Sequence, residues 1–293
     1  MKRYLLNKPY IYKVSLWLAH ILPLPIMKWI TNKFAYLTYF LYEEARSNVE
    51  DNLSHIFADP VMIKNSAKEV FINYGLYLAD WAKLIAIDSK EVLSRFSVIE
   101  GNETFREAHK KGKGIILLAA HLGNWELGGL FFGSSGLPIN IITARDEVNE
   151  IANSRAAVRV LHNVKTITID DAPFFFIDIV NALRRNEIVA MLIDRYERKN
   201  GVLIDFFGKP AYFPPGPVLL ARSTGCAVLP AFTVMEGNGS YKTAVGSSIE
   251  MEFSDDKDKD VYVNLKKIVS IFEQYIRKYP NQWYNFSPVW NKE

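Results

Sequence analysis

The 293-residue chain has one cysteine, Cys226, which excludes an internal disulfide framework and any zinc site built from several cysteines. A reducing compartment fits that usage. No acidic residue occurs before Glu43, although Lys2, Arg3, Lys8, Lys13, Lys28 and Lys33 precede it. No apolar run reaches the roughly 18 residues of a confident spanning helix, and Pro23 and Pro25 interrupt the first apolar stretch. A Gly-x-Ser-x-Gly elbow is missing, as are internal repeats and any zinc, helix-turn-helix or RNA-recognition signature. A nucleic-acid partner therefore has little support.

What is present is a globular composition with an unusual start. Apolar residues make up 49% of the chain, enough for a sizeable core, and the 13% aromatic content raises the question of a membrane interface. The basic N-terminus would attract either nucleic acid or anionic lipid, since both present phosphates. The residues between the lysines separate the two. Val14-Ser15-Leu16-Trp17-Leu18-Ala19-His20-Ile21-Leu22 and Phe34-Ala35-Tyr36-Leu37-Thr38-Tyr39-Phe40-Leu41-Tyr42 suit an acyl boundary better than a duplex. The expectation is a segment lying on a membrane surface. A cleaved signal peptide is a rival, but no small-x-small site follows Pro25 closely. In the plainest alternative these helices only cap the core.

Helical spacing marks a long amphipathic helix over 60–87, through Val61, Val70, Phe71, Tyr74, Leu78, Trp81 and Ile85, with Asp59 as its cap. Beyond Gly101 short β-like runs alternate with helical ones, the pattern of strands joined by crossover helices. Strands are expected at 114–120, 139–144, 165–169, 188–193, 227–234 and 241–245. Helices are expected at 124–132, 147–161, 174–185, 216–223 and 261–279. The charged run 255–260 reads as a solvated loop. The unbroken apolar run Ile115-Ile116-Leu117-Leu118-Ala119-Ala120 predicts a strand buried on both faces, hence central. The fold class is α/β: a single mixed sheet flanked by helices over 46–293, with a membrane-associating helical extension over 1–45.

Ligands of open α/β sheets gather at the carboxyl ends of strands, and the central strand runs into His121-Leu122-Gly123-Asn124-Trp125-Glu126. Gly123 permits a tight turn, Asn124 suits a helix cap, and Glu126 falls in the first helical turn. Such a turn can return Glu126 towards His121, fixing its tautomer so that it can take a proton from a hydroxyl. The same spacing also arises by accident, with His121 bonded to a carbonyl and Glu126 a helix-terminus charge.

The segment Ala119-Ala120-His121-Leu122-Gly123-Asn124-Trp125-Glu126 resembles the His-x4-Glu block of the bacterial lipid A late acyltransferases. The resemblance continues through Asp194, Gly201, Phe206-Phe207-Gly208-Lys209-Pro210-Ala211, Pro214, Gly216-Pro217, Ala221, Thr224-Gly225, Pro230 and Gln282-Trp283, and earlier through Arg46, Asn48 and Asn52-Leu53. It implies a mixed sheet with a membrane-associated N-terminus at the inner membrane, the active site facing the cytoplasm. The implied reaction moves an acyl group from acyl carrier protein or acyl-CoA to a hydroxyl of a membrane glycolipid. It needs no cofactor or metal and forms no covalent acyl-enzyme.

His121 and Glu126 are then the expected catalytic residues, and Arg145, Asp194, Arg195 and Asn124 the expected substrate-binding ones. Arg145 follows the strand at 139–144 and suits an oxyanion or a phosphate, unless it merely pairs with Asp146 or Glu147 on the surface. Asp194 and Arg195 likewise end a strand, or form an exposed pair. The chain departs from the family where Arg195 follows Asp194, where Phe213 and Pro215 flank Pro214, and where the basic ending becomes Ser287-Pro288-Val289-Trp290. Loss of those basic residues removes phosphate contacts, leaving an aminolipid, a glycosylated diacylglycerol or a mannosylated phosphoinositide as acceptor alongside lipid A. A thioester hydrolase and a non-catalytic lipid-binding protein are the competing functions.

Overall fold

A computed structural model describes residues 17–18, 21–84, 87–144, 149–169, 174–195 and 201–290. Its helices are α1 Leu24–Leu41, α2 Glu43–Ser54, α3 Pro60–Lys83, α4 Ser89–Ser94, α5 Asn102–Lys110, α6 Trp125–Ser134, α7 Asn149–Leu161, α8 Phe174–Arg184, α9 Gly216–Thr224 and α10 Lys257–Lys278. The strands are β1 Phe96–Glu100, β2 Ile115–Ala119, β3 Ile139–Ala144, β4 Val164–Ile169, β5 Ile188–Leu192, β6 Val202–Phe206, β7 Lys209–Phe213, β8 Ala227–Met235 and β9 Tyr241–Val245. Seven form one mixed sheet in the order β1-β9-β8-β2-β5-β3-β4. All neighbours pair in parallel except β8 and β9. The expected central strand is β2, whose first four residues are at most 3% exposed because both faces of the sheet are covered.

Side chains alternate between those faces. Leu117 and Ile139 belong to a core shared with α6, while Ile116, Leu118 and Val189 belong to a second core shared with α8, α9 and α10. A third cluster joins Tyr39, Val49 and Leu53 to Val70, Phe71 and Tyr77 of α3 and to Tyr284. The N-terminal helices thus bury one face against the chain's C-terminal end. Gly75 of α3 makes this approach close: a Cβ there would meet Ala35 Cβ at 2.9 Å and the Thr31 carbonyl at 3.0 Å.

The structure differs from the sequence expectations in three places. The charged run 255–260 is mostly the first turn of α10, whose Lys259 N–H donates to Asp256 Oδ1 at 3.0 Å. β1, with four of its five residues exposed, and the β6–β7 hairpin carry little apolar periodicity and were not expected. Pro23 and Pro25 interrupt the first apolar stretch as expected, Leu22 and Pro23 lying between the helical Ile21 and α1, and they also start α1, since proline at the first positions removes no helical hydrogen bond. α3 ends at Lys83, and residues 85–86 lie outside the described part.

The outer face of α1 leaves Ile26, Trp29, Phe34, Leu37, Phe40 and Leu41 exposed. Among the described residues no helix is long and apolar enough to cross a membrane.

Candidate active site

The turn after β2 is fixed by its backbone. Gly123 has φ +64°, and a Cβ there would collide with the Thr233 carbonyl, so only glycine fits. Its N–H donates to the Gln282 carbonyl at 2.9 Å, the Asn124 N–H donates to the Thr233 carbonyl at 2.7 Å, and the Tyr284 N–H donates to the His121 carbonyl at 2.8 Å. The turn is therefore stitched between β8 and the C-terminal segment following α10. Asn124 caps α6, accepting the Leu127 N–H on Oδ1 at 3.0 Å.

Parallel pairing of β2 with β5 sets Ala119 opposite Leu192, so two residues on, His121 comes beside Asp194. His121 Nδ1 lies 2.7 Å from Asp194 Oδ1, which also accepts the His121 backbone N–H at 3.0 Å. The other carboxylate oxygen accepts the Trp283 indole N–H at 2.9 Å. Burial pulls the Asp194 carboxyl up, but the His121 charge and hydrogen bond, Arg195 and the Trp283 indole outweigh it and hold the pKa at about 2. Burial, with Arg195 beside it, lowers His121 despite the opposing pull of Asp194. A neutral imidazole whose Nδ1–H is given to a carboxylate keeps its Nε2 lone pair for chemistry.

Asp194, not Glu126, is therefore the carboxylate on His121. Glu126 is 6% exposed and forms a two-pronged ion pair with Arg159 of α7: Nε donates to Oε2 at 3.1 Å and Nη2 to Oε1 at 2.5 Å. Arg159 also donates to Thr166 Oγ1 at 3.2 Å. Helical direction explains the difference, since the first turn of α6 carries Glu126 along the α7 side of the sheet.

Both ends of the Asn124 carboxamide are engaged, the second donating to the Tyr241 hydroxyl at 3.2 Å, so this residue braces the turn and does not line the cavity. Tyr241 in turn donates to buried Asp80 at 2.5 Å, which pairs with Lys28 of α1 at 3.1 Å and Arg95 at 3.2 Å. Arg195 donates to the Tyr284 carbonyl and lines the cavity with His121 and Asp194. Arg145 lies outside the described residues.

A cavity of about 1970 Å³ opens at these residues, well above an ordinary small-ligand site. It reaches both faces of the sheet at the strand ends. On the α6 face, Leu117, Ala190 and Ile141 form one row across adjoining strands, with Gly128 and Gly129 of α6 opposite. The next row down, Ile115, Ile188 and Ile139, is at most 1% exposed and closes that arm. On the other face the lining includes Phe175, Ile179, Met191, Phe213 and Phe232. Near the mouth Trp125 stands edge-on to His121 at 5.0 Å and stacks on Tyr77 at 4.8 Å.

The sequence reading missed Arg159 and the partnership of His121 with Asp194. Asn48 and Asn52, noted only for resemblance, clamp the C-terminal segment. Asn48 Nδ2 donates to the Phe286 carbonyl at 3.1 Å, and Asn52 Nδ2 to those of Asn285 and Ser287 at 2.9 Å each. No local pattern could have supplied this pairing, because over 230 positions separate the partners.

The family model for bacterial lipid A biosynthesis acyltransferase matches residues 1–292. Among similar proteins, a phosphatidylinositol mannoside acyltransferase of Mycobacterium tuberculosis is 24% identical over 262 residues, covering 86% of this chain and 79% of that protein. A protein of the same description from Mycolicibacterium smegmatis is 26% identical over 220 residues, 74% of this chain and 70% of its own length.

Proposed function

The chain belongs to the bacterial lipid A biosynthesis acyltransferase family and is an acyltransferase of the glycolipid type, and on that premise we propose how its site performs the transfer. His121 is the general base, held by Asp194, and the donor is an acyl thioester of acyl carrier protein or coenzyme A. One observation carries this reading: a half-buried imidazole, held by a buried carboxylate, opens onto a large, mostly apolar cavity.

His121 Nε2 removes the proton of a glycolipid hydroxyl as its oxygen attacks the thioester carbonyl carbon. The C=O π pair moves onto oxygen, and Arg195, cationic and on the cavity wall, faces that developing charge. Collapse re-forms the carbonyl, breaks the C–S bond and returns the proton from His121 to the thiolate. Asp194 stabilises the imidazolium that exists between the two transfers. Glu126 is a positioning residue that fixes the Arg159 guanidinium in the wall. The apolar arm between α6 and the sheet takes the acyl chain. Cys226 precedes β8, at the end of the sheet away from His121, which fits direct transfer without a thioester enzyme intermediate.

The exposed apolar face of α1, with Lys33 exposed on the same helix, supports a chain that lies on an anionic membrane surface. This surface would deliver the acceptor to the cavity.

The test is transfer from palmitoyl-CoA into a bacterial lipid extract, read by lipid mass spectrometry. The wild-type protein is expected to form an acylated glycolipid, and His121→Ala to lose activity about 10³-fold. Wild-type rates in His121→Ala overturn the base assignment. Free fatty acid as the sole product, with lipid present, replaces transfer by hydrolysis.

A further inference from the structure

We propose that the side-chain carboxamide of Asn285 binds the uncharged polyhydroxyl head group of the acceptor lipid; this rests on the acyl-transfer reading above. Asn285 lines the cavity, yet it is only 3% exposed, and its Oδ1 is buried without a hydrogen-bond partner. Buried polar side chains normally find partners, so an orphan in a cavity wall calls for a ligand.

The backbone around this side chain is fixed. The Asn285 N–H donates to the Trp283 carbonyl at 3.0 Å, and its own carbonyl accepts from Asn52 Nδ2 at 2.9 Å. The two residues before it hold the reacting pair, Trp283 through the Asp194 carboxylate and Tyr284 through the His121 carbonyl. The carboxamide thus belongs to a cavity wall whose backbone is tied directly to the residues that hold the reacting pair.

Its chemistry selects the ligand class. A carboxamide offers a donor edge and an acceptor edge, and its last torsion is broad and two-fold, so either edge can be presented. A sugar or inositol hydroxyl is likewise both donor and acceptor. A phosphate or carboxylate only accepts, and a hydrocarbon does neither.

The experiment uses the full chain with palmitoyl-CoA as donor and two acceptors in mixed micelles, dodecyl glucoside and 1-dodecanol. Both share a tail and a primary hydroxyl, but only one has further hydroxyls. Wild-type protein is expected to favour the glucoside in kcat/KM. In Asn285→Leu, close in size, that preference falls about ten-fold, through the KM for glucoside, with an unchanged melting temperature. Asn285→Ala is expected to behave alike, which separates lost hydrogen bonding from steric effects of leucine. An unchanged preference in both variants overturns the proposal alone, as does an equal loss on both acceptors accompanied by a lower melting temperature. Wild-type protein that acylates neither acceptor, from palmitoyl-CoA or from palmitoyl acyl carrier protein, overturns the glycolipid-transfer reading itself, and this proposal with it.

Discussion

The chemistry of the site turns on one shared oxygen: Asp194 Oδ1 takes both the backbone N–H and the ring Nδ1–H of His121. Asp194→Asn keeps the shape but replaces an acceptor with a neutral amide that can reverse the tautomer. The expected loss in kcat is about 10²-fold or more, with KM for the thioester little changed; steady-state kinetics on both proteins checks it. The two pKa shifts set separate pH effects. His121 must be neutral to act, and its folded pKa lies below the ordinary value, so kcat/KM should stay high through mildly acidic pH and fall only as pH drops through that lowered pKa. Asp194 is held at about 2 against an unfolded value of 3.8. Its contribution to stability, about 2 kcal/mol, is therefore complete above pH 3.8 and lost as pH falls towards 2. Acid unfolding of the wild type should accordingly show more proton uptake between those limits than that of Asp194→Asn. An indistinguishable pair of curves removes Asp194 as the depressed group.

Among the elements, α1 and the sheet rows make the sharpest demands. Trp29, Phe34 and Phe40 are 64%, 45% and 52% exposed, so a triple change to serine should leave the melting temperature nearly unchanged. It should, however, abolish sedimentation with vesicles of phosphatidylethanolamine and phosphatidylglycerol if this face lies in the interface. Retained sedimentation would move the membrane contact elsewhere. The α6 arm of the cavity is open at Ala190 because the residue between Leu117 and Ile141 is small, and closed one row below by three isoleucines. Ala190→Phe should fill it. The preference for palmitoyl-CoA over decanoyl-CoA is then expected to fall at least about ten-fold, measured by competition and mass spectrometry of the product. Periodicity revealed most of these elements, since long apolar runs and caps are local signals. It gave no sign of β1, mostly exposed, or of the first turn of α10, where Asp256, though solvated, is a helix cap.

At the level of the whole molecule, the site was half legible in the chain. His121 and Asp194 each stood out as the end of a strand. Their partnership depends on β5 adjoining β2 in register, and no local pattern reports which strands adjoin. Glu126, nearer in sequence, is turned away by its helix and paired across to Arg159. The same long-range logic ties the two ends of the chain together. Asn52 of α2 is 1% exposed, donates to two carbonyls of the segment 285–287 and accepts the Val289 N–H at 3.2 Å. That segment follows directly on Trp283 and Tyr284, which hold Asp194 and His121. Asn52→Ala should therefore cost stability and activity together: about 1–2 kcal/mol from one buried and two partly buried hydrogen bonds lost, and a fall in kcat as the indole's hold on Asp194 loosens. Chemical denaturation gives the first quantity and the pH–rate profile the second. With Asp194 less firmly oriented, the acidic limb attributed to His121 should move along the pH axis, whereas a purely global loss of stability would lower the whole profile without moving that limb.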